Sequence, residues 1–255
     1  LRQEIAATLE RAALETRGER IPFVTGLGAT ESAPFALCAG DSAFTGGRIG
    51  VPVPGVELKL APAGGKYEGR LRGPNITPGY WRDPELTRAA FDEEGFYCLG
   101  DALGFVDPDD ASKGFVFEGR LSEDFKLSTG TWVRVGPLRA ALLAHLGDLV
   151  FDVVIGGHDR DYVVALIFPN RAGCQGMLAT DLRQVVGAML AEFAETHAGT
   201  STAIRRAAIL QDPPAIDAQE LTGKGSVNQK AVLRNRAAVV GQLFAERLDQ
   251  SLIEI

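Results

Sequence analysis

The chain has 255 residues, 45% of them apolar and 23% charged, enough to bury one large core or two modest ones. Its net charge of −7 supplies no basic field to replace phosphate counterions, which excludes a dedicated nucleic-acid binder. No stretch reaches the roughly 18 consecutive apolar residues of a membrane helix, so no membrane partner is expected.

Residues 1–17 place Ile5, Leu9, Ala12 and Ala13 on one stripe with charges opposite, which predicts an amphipathic helix and no signal peptide. The chain opens at Leu1, without methionine and inside this helix, so a fragment of a longer protein is expected. "IPFVTG" (residues 21–26) reads as a short buried strand entering a glycine turn. "GVELKLAP", "KYEGRLRG" and "KGFVFEG" alternate with period two, as half-buried strands do, between Pro, Gly and Asp turns. "DPELTRAAF" is a short helix with Asp83 as N-cap and Pro84 at its first position.

The texture changes after about Arg120. "EDFKLSTGTWVRVG" predicts a hairpin and "PLRAALLAHLG" an amphipathic helix. "FDVVIGG" and "YVVALIFP" are strands joined by the charged turn "HDRD". A helix over 181–197, a strand at "AAILQ" and a terminal helix over 229–249 complete the pattern. The fold class is therefore mixed α+β, with a β-rich part over residues 1–121 and a small α+β part over 122–255.

Cys38, Cys98 and Cys174 are odd in number and form no C-x-x-C pair, which argues for reduced thiols in a cytoplasm. His145, His158 and His197 share no metal-binding spacing. "TGLGATES" begins like a dinucleotide fingerprint but has Glu31 where the third glycine belongs. "GKGS" ends like a P-loop, yet Ala218 and Gly225 occupy positions that need Gly and Ser/Thr. Asp107, Asp109 and Asp110 lack the glycine and glutamate of a calcium loop and read as a solvated turn.

Four polar clusters remain, each with a plain structural alternative. "GLGATES" presents Thr30 and Glu31, a hydroxyl and a carboxylate suited to a phosphate oxygen and its magnesium, or to capping a turn. Asp101, after a glycine between two strands, can accept both hydroxyls of a ribose, or simply shape a turn. Arg120 and Lys126 flank an acidic pair ahead of Gly130 at a hairpin tip, as a ligand site or a surface ion-pair cluster. Lys224 lies between Gly223 and Gly225 in "TGKGSVNQK", a solvated lysine or one that reaches a phosphate.

In this order the clusters resemble the adenylate-forming, AMP-binding family of acyl- and aryl-CoA synthetases, luciferases and peptide-synthetase adenylation domains. "GLGATE" is similar to its aromatic-Gly-x-Thr-Glu motif, and "GRLRGPNITPGYWRDPELTRAAFDEEGFYCLGD" to its long block ending in Gly-Asp. "GRLSEDFKLSTGTWV" and "LTGKGSVNQKAVLRNR" resemble its Arg-x-x-[DE]-x-x-K-x-x-G and carboxy-terminal Gly-Lys blocks. The closest likeness is to the feruloyl-CoA synthetase type.

The resemblance implies an ATP-dependent acid–CoA ligase acting on an aromatic or hydroxycinnamic acid such as ferulate, with ATP/AMP, Mg2+ and coenzyme A. A luciferase-like or peptide-synthetase adenylation domain and a non-catalytic AMP-binding module are the alternatives. Gly28 and Thr30 would meet the nucleotide, Glu31 the magnesium, and Asp101 and Arg120 the ribose. Lys126 would serve thioester formation, Gly130 would line the pantetheine tunnel, and Ser122 would be the hinge. Lys224 would be the catalytic lysine of adenylation, carried by a mobile second domain. Leu27 stands where the family has an aromatic ring, and Ser122 where it has Asp or Lys. The family's upstream phosphate loop, Ser/Thr/Gly-rich and ending in Pro-Lys-Gly, has no counterpart here. Residues 1–121 would then be the end of the large AMP-binding domain, and the chain alone would be nearly inactive without an upstream partner segment.

Overall fold

The computed structural model describes residues 3–19, 24–40, 47–223 and 225–255. The chain divides into two compact units, Leu1–Leu121 and Ser122–Ile255, and the division falls within a 3-10 turn, Leu121–Glu123. The mixed α+β architecture expected from the sequence is the one found.

The first unit opens with helix α1 (Gln3–Arg17), closed by Gly18 at φ +73, whose N–H reaches the Leu14 carbonyl at 2.9 Å. Of the expected stripe, Ala13 is buried, Leu9 stays 46% exposed, and the Ile5 side chain lies outside the described residues. Seven strands follow: β1 (Thr25–Leu27), β2 (Leu37–Ala39), β3 (Arg48–Pro52), β4 (Glu57–Ala63), β5 (Lys66–Arg72), β6 (Tyr97–Phe105) and β7 (Phe115–Arg120). They form one antiparallel sheet in the order β1-β2-β3-β7-β6-β5-β4. Leu37, Ile49, Leu71, Leu103 and Phe115 make its core.

Two expectations change here. The first predicted strand overlaps the observed one, Thr25–Leu27, only at Thr25 and Gly26; Val24 is 61% exposed, and residues 21–23 lie outside the described set. Asp101 sits inside β6 rather than between two strands, because Gly100 adopts φ +71 and the register with β7 shifts after Asp101. A bulge keeps the strand going where a glycine suggested a turn.

Between β5 and β6 lies α2 (Pro84–Ala90), whose N-cap Asp83 accepts the Leu86 N–H at 2.9 Å. After it, Asp92 pins the chain to the sheet. Lys59 of β4 and Arg70 of β5 reach its Oδ2 at 2.9 and 3.0 Å, and the N–H groups of Glu94 and Phe96 reach Oδ1. Lys59 first, then the Phe96 N–H and Arg70, hold the Asp92 carboxyl well below the usual range against the pull of burial.

The second unit begins with the hairpin β8 (Phe125–Lys126) and β9 (Trp132–Val133), then α3 (Val135–Leu146). Strands β10 (Val150–Gly156) and β11 (Val163–Pro169), helix α4 (Ala179–Thr196) and strand β12 (Ile204–Ile209) follow. The sheet order is β10-β11-β12-β13, where β13 is Ile253–Glu254 and only the β11–β12 pair is parallel. Along β11 the side chains divide between two cores. Val163, Ala165 and Ile167 pack with α3 and α4, while Val164, Leu166 and Phe168 pack on the other face. A run apolar in both phases is what a strand covered on both faces requires.

The predicted strand "AAILQ" starts three residues earlier, at Ile204. The predicted terminal helix is two short ones, α5 (Gln229–Asn235) and α6 (Ala237–Leu243), and the chain then returns as β13. The break falls at Arg236, whose guanidinium is drawn to the buried carboxylate of Glu220.

Candidate functional site

In the first unit the loop after β1 is tightly built. A Cβ on Gly28 would lie 1.3 Å from the Pro34 carbonyl oxygen, so only glycine lets the chain double back there. Thr30–Ser32 form a 3-10 turn in which Ser32, fully buried, takes the Ala29 N–H at 2.8 Å. Asn75 braces the loop from outside, donating to the Ser32 and Phe35 carbonyls at 2.9 and 2.8 Å. The Thr77 N–H reaches the Glu31 carbonyl at 2.7 Å.

The Glu31 side chain is oriented by phenols. Its Oε1 accepts the Tyr80 hydroxyl at 2.9 Å, and Tyr80 is in turn hydrogen-bonded to the buried Tyr97 of β6. Burial first, then Tyr80 and the Glu31 charge, push the Tyr97 hydroxyl far up. For Tyr80 the Tyr97 bond acts downward, yet Glu31 and burial together leave its hydroxyl raised. Both phenols therefore stay protonated, Tyr80 donating to the carboxylate and Tyr97 to Tyr80.

Four residues along β6 from Tyr97, roughly 13 Å at the usual strand rise, stands Asp101. It faces Arg120 of β7 in register, with Arg120 Nε 3.9 Å from Oδ1. Asp101 is 17% exposed and Arg120 67%, so the carboxylate is set into the sheet while the guanidinium stands toward solvent. At that distance and exposure the pair adds little stability. Glu31 thus stands in a turn linked through Tyr80 to Tyr97 of β6, the strand that carries Asp101.

Among the described residues no three His, Cys, Asp or Glu side chains cluster as a resident metal site would require. One oriented carboxylate beside the Thr30 hydroxyl does suit Mg2+, which binds proteins through one or two carboxylates and takes its other ligands from phosphates and water. The acidic turn proves self-contained: Lys113 pairs with Asp107, and Asp107 and Asp110 accept the N–H groups of Asp109 and Ser112.

In the second unit Ser122 is exposed in its 3-10 turn. Phe125 and Val133 of the hairpin point into the core, while Lys126 and Trp132 pair outside, with Lys126 Nζ 5.1 Å from the indole centroid. Gly130, at φ +81, closes the tip through its N–H to the Leu127 carbonyl at 2.8 Å. The β10–β11 turn braces this hairpin: the Asp159 N–H reaches the Lys126 carbonyl and the Ser128 N–H the Arg160 carbonyl, both at 2.9 Å.

Lys224 lies outside the described residues, but its neighbours do not. The Leu221–Val227 bridge and the Thr222 N–H to Ser226 carbonyl bond (2.9 Å) close a narrow turn, with Gly225 at φ +77 donating to the Thr222 carbonyl at 2.8 Å. What reads as a loose glycine loop is hydrogen-bonded on both legs. Sequence reasoning gave no role to Tyr80, Tyr97, Asn75, Glu220 or Arg236. Tyr80 and Asn75 fall inside the "GPNITPGYW" stretch, so a signal existed for them, whereas the Glu220–Arg236 contact left none.

Residues 123–248 match the family model of the AMP-binding enzyme C-terminal domain. A chloroplastic long-chain-fatty-acid–[acyl-carrier-protein] ligase of Arabidopsis thaliana is 27% identical over 237 residues, covering 86% of this chain and 32% of that protein. A long-chain-fatty-acid–CoA ligase of Mycobacterium bovis is 29% identical over 247 residues, covering 89% of this chain and 39% of that one. Among solved structures, the A domain of carboxylic acid reductase from Segniliparus rugosus, in complex with AMP and a co-purified carboxylic acid, aligns with a TM-score of 0.69. It shares 25% identity over 94% of this chain and 37% of that one. The chain thus spans only 32–39% of the length of these relatives. Together the likenesses support the adenylate-forming family.

Proposed function

We propose that the chain is the carboxy-terminal portion of an ATP-dependent acid–CoA ligase, which joins a carboxylate to AMP with loss of pyrophosphate and then passes the acyl group to a thiol. Residues 1–121 would be the end of the large nucleotide-binding domain, and residues 122–255 a small domain that swings about Ser122. The observation that carries this reading is Asp101, set into β6 by a bulge and facing Arg120, on the sheet that also orients Glu31.

Asp101 accepts the ribose hydroxyls, since a largely buried carboxylate offers two fixed acceptors to a diol. Arg120, exposed beside it, bridges ribose and phosphate. Thr30 donates to the α-phosphate, and Gly28 lets the backbone approach it. Glu31 holds the magnesium that accompanies ATP, which when bound neutralises phosphate charge. The acid and the α-phosphate repel as they meet. Lys224 screens that repulsion and stabilises the charge gathering in the transition state. In the second arrangement Lys126 and the Gly130 hairpin guide the pantetheine of coenzyme A. The two steps need different groups in one place, which a swinging domain supplies.

The acid is aromatic, of the hydroxycinnamic kind such as ferulate, on the likeness of the "GRLSEDFKLSTGTWV" block; the two ligase relatives are named for long-chain fatty acids. A second reading, in which the acceptor thiol belongs to a carrier protein, draws on the Arabidopsis relative. Without an upstream phosphate loop the chain alone adenylates little or nothing.

The test is calorimetry with AMP on the full-length protein and its Asp101→Ala variant. Binding lost in the variant supports the reading, and equal binding by both removes Asp101 from the nucleotide. Pyrophosphate exchange by the isolated chain would refute its inactivity. Tight AMP binding without any acyl-adenylate in the full-length protein would favour a nucleotide sensor instead.

A further inference from the structure

Glu220 is a carboxylate with 1% exposure, and its bonds converge on the base of the lysine turn. Arg236 meets it with two nitrogens, Nε on Oε1 at 3.0 Å and Nη2 on Oε2 at 2.9 Å. The Ala215 N–H donates to Oε2 at 3.0 Å, and the Glu220 carbonyl accepts the Asn228 N–H at 2.8 Å. One residue therefore ties together the approach to the turn, its exit and the junction of α5 with α6.

The turn itself is closed between those anchors. Beyond the backbone bonds already described, the Thr222 and Ser226 hydroxyls lie 2.7 Å apart, and the Ser226 N–H reaches Thr222 Oγ1 at 3.2 Å. On the exit side Asn228 caps α5 through the Ala231 N–H at 3.3 Å. Gln229, 3% exposed, accepts the Ile155 N–H of β10 at 3.1 Å, which fastens that leg to the sheet.

A buried ion pair is a poor source of net stability, because desolvation offsets most of the attraction. A two-pronged guanidinium–carboxylate contact does fix direction, since both planes must align. The Arg236 contact keeps Glu220 ionised by lowering its carboxyl, despite burial. The helix breaks at Arg236, the residue that makes this contact, and the halves on either side pack on one core through Val232 and Leu243.

We propose that Glu220 and Arg236 are positioning residues for Lys224, holding the base of its turn so that the ammonium arrives in one orientation when the second unit delivers it. The proposal rests on the ligase reading above. A long lysine stem on a tilted base misses its target, and a misplacement of about 1 Å costs on the order of a hundredfold in rate.

The test compares Glu220→Gln, Arg236→Lys and the paired Glu220→Gln/Arg236→Gln variant in the full-length protein. Acyl-adenylate formation is read as pyrophosphate release in a single turnover, and thioester formation is started from preformed acyl-adenylate. Hydrogen exchange at the Gly225 and Ser226 amides is followed in the chain itself. Glu220→Gln is expected to slow adenylate formation by about tenfold or more. It should also speed exchange at those two amides and leave the thioester step and the KM for ATP unchanged.

Adenylate formation at the wild-type rate overturns the proposal, as does an equal fall in both steps together with the melting temperature. If Glu220→Gln alone unfolds, the paired variant, which leaves no lone buried charge, decides on the same readouts. A wild-type protein that forms no acyl-adenylate sinks the ligase reading. The exchange result then decides separately whether the pair holds the turn.

Discussion

The Tyr80 phenol donates a 2.9 Å hydrogen bond to Glu31 Oε1 across 49 residues of sequence. Replacing Tyr80 by Phe removes that donor and leaves a part-buried carboxylate oxygen without it. Urea unfolding should show a loss of about 1 kcal/mol. The magnesium concentration for half-maximal pyrophosphate release by the full-length protein should rise as well. A stability loss with no change in magnesium demand would make Glu31 a structural residue.

Gly28→Ala places a methyl 1.3 Å from the Pro34 carbonyl oxygen. The loop has to open, and thermal melting should reveal a destabilisation of about 3 kcal/mol, with AMP affinity falling alongside. An unchanged melt would mean the doubled-back chain is not held as tightly as its geometry says.

Asp92 sets a pH dependence of known sign. Its folded carboxyl lies below the unfolded value of about 3.9, with Lys59 the largest cause. The stabilisation is therefore complete above that unfolded value and is lost as pH falls toward the folded one. Glu220, lowered chiefly by Arg236, acts in the same direction. Urea midpoints should drop as pH falls from about 4.5 toward 2 in the wild type. Asp92→Asn should start lower and fall less, keeping the part that Glu220 supplies.

Lys224 and Lys126 should separate by half-reaction. Lys224→Ala is expected to slow acyl-adenylate formation by about a hundredfold or more, while sparing thioester formation from preformed adenylate. Lys126→Ala should do the reverse. Its carbonyl and the Asp159 N–H remain bonded in that variant, so the hairpin stays formed. Equal losses in both steps would cancel the division of labour.

Local chemistry made much of the fold legible. Asp83 and Pro84 announced α2 because an N-cap and a fixed φ act within one turn. The period-two segments announced β4, β5 and β7, and the doubly apolar run announced β11. Long-range contacts hid the rest. The apolar spacing from Val232 to Leu243 suits one helix, and the break falls at Arg236, where a contact with distant Glu220 has no trace in the local pattern. Gly100 read as a turn because nothing local distinguishes a bulge. Strand β13 is two residues long, too short to carry a period. At the candidate site the motifs named Glu31 and Asp101, but not the phenols that aim the one or the register that seats the other.

Strand β13 is a seam along the border of the second unit's sheet. Ile253 fills the core beside Ala207, Arg206 grips Glu254, and the Ile255 N–H reaches the Arg205 carbonyl at 2.9 Å. Without this pairing β12 would present more of its backbone donors and acceptors along an open edge, a ready template for strand pairing with a neighbour. Disrupting the pairing with Ile253→Pro should therefore raise self-association in light scattering above that of the wild type.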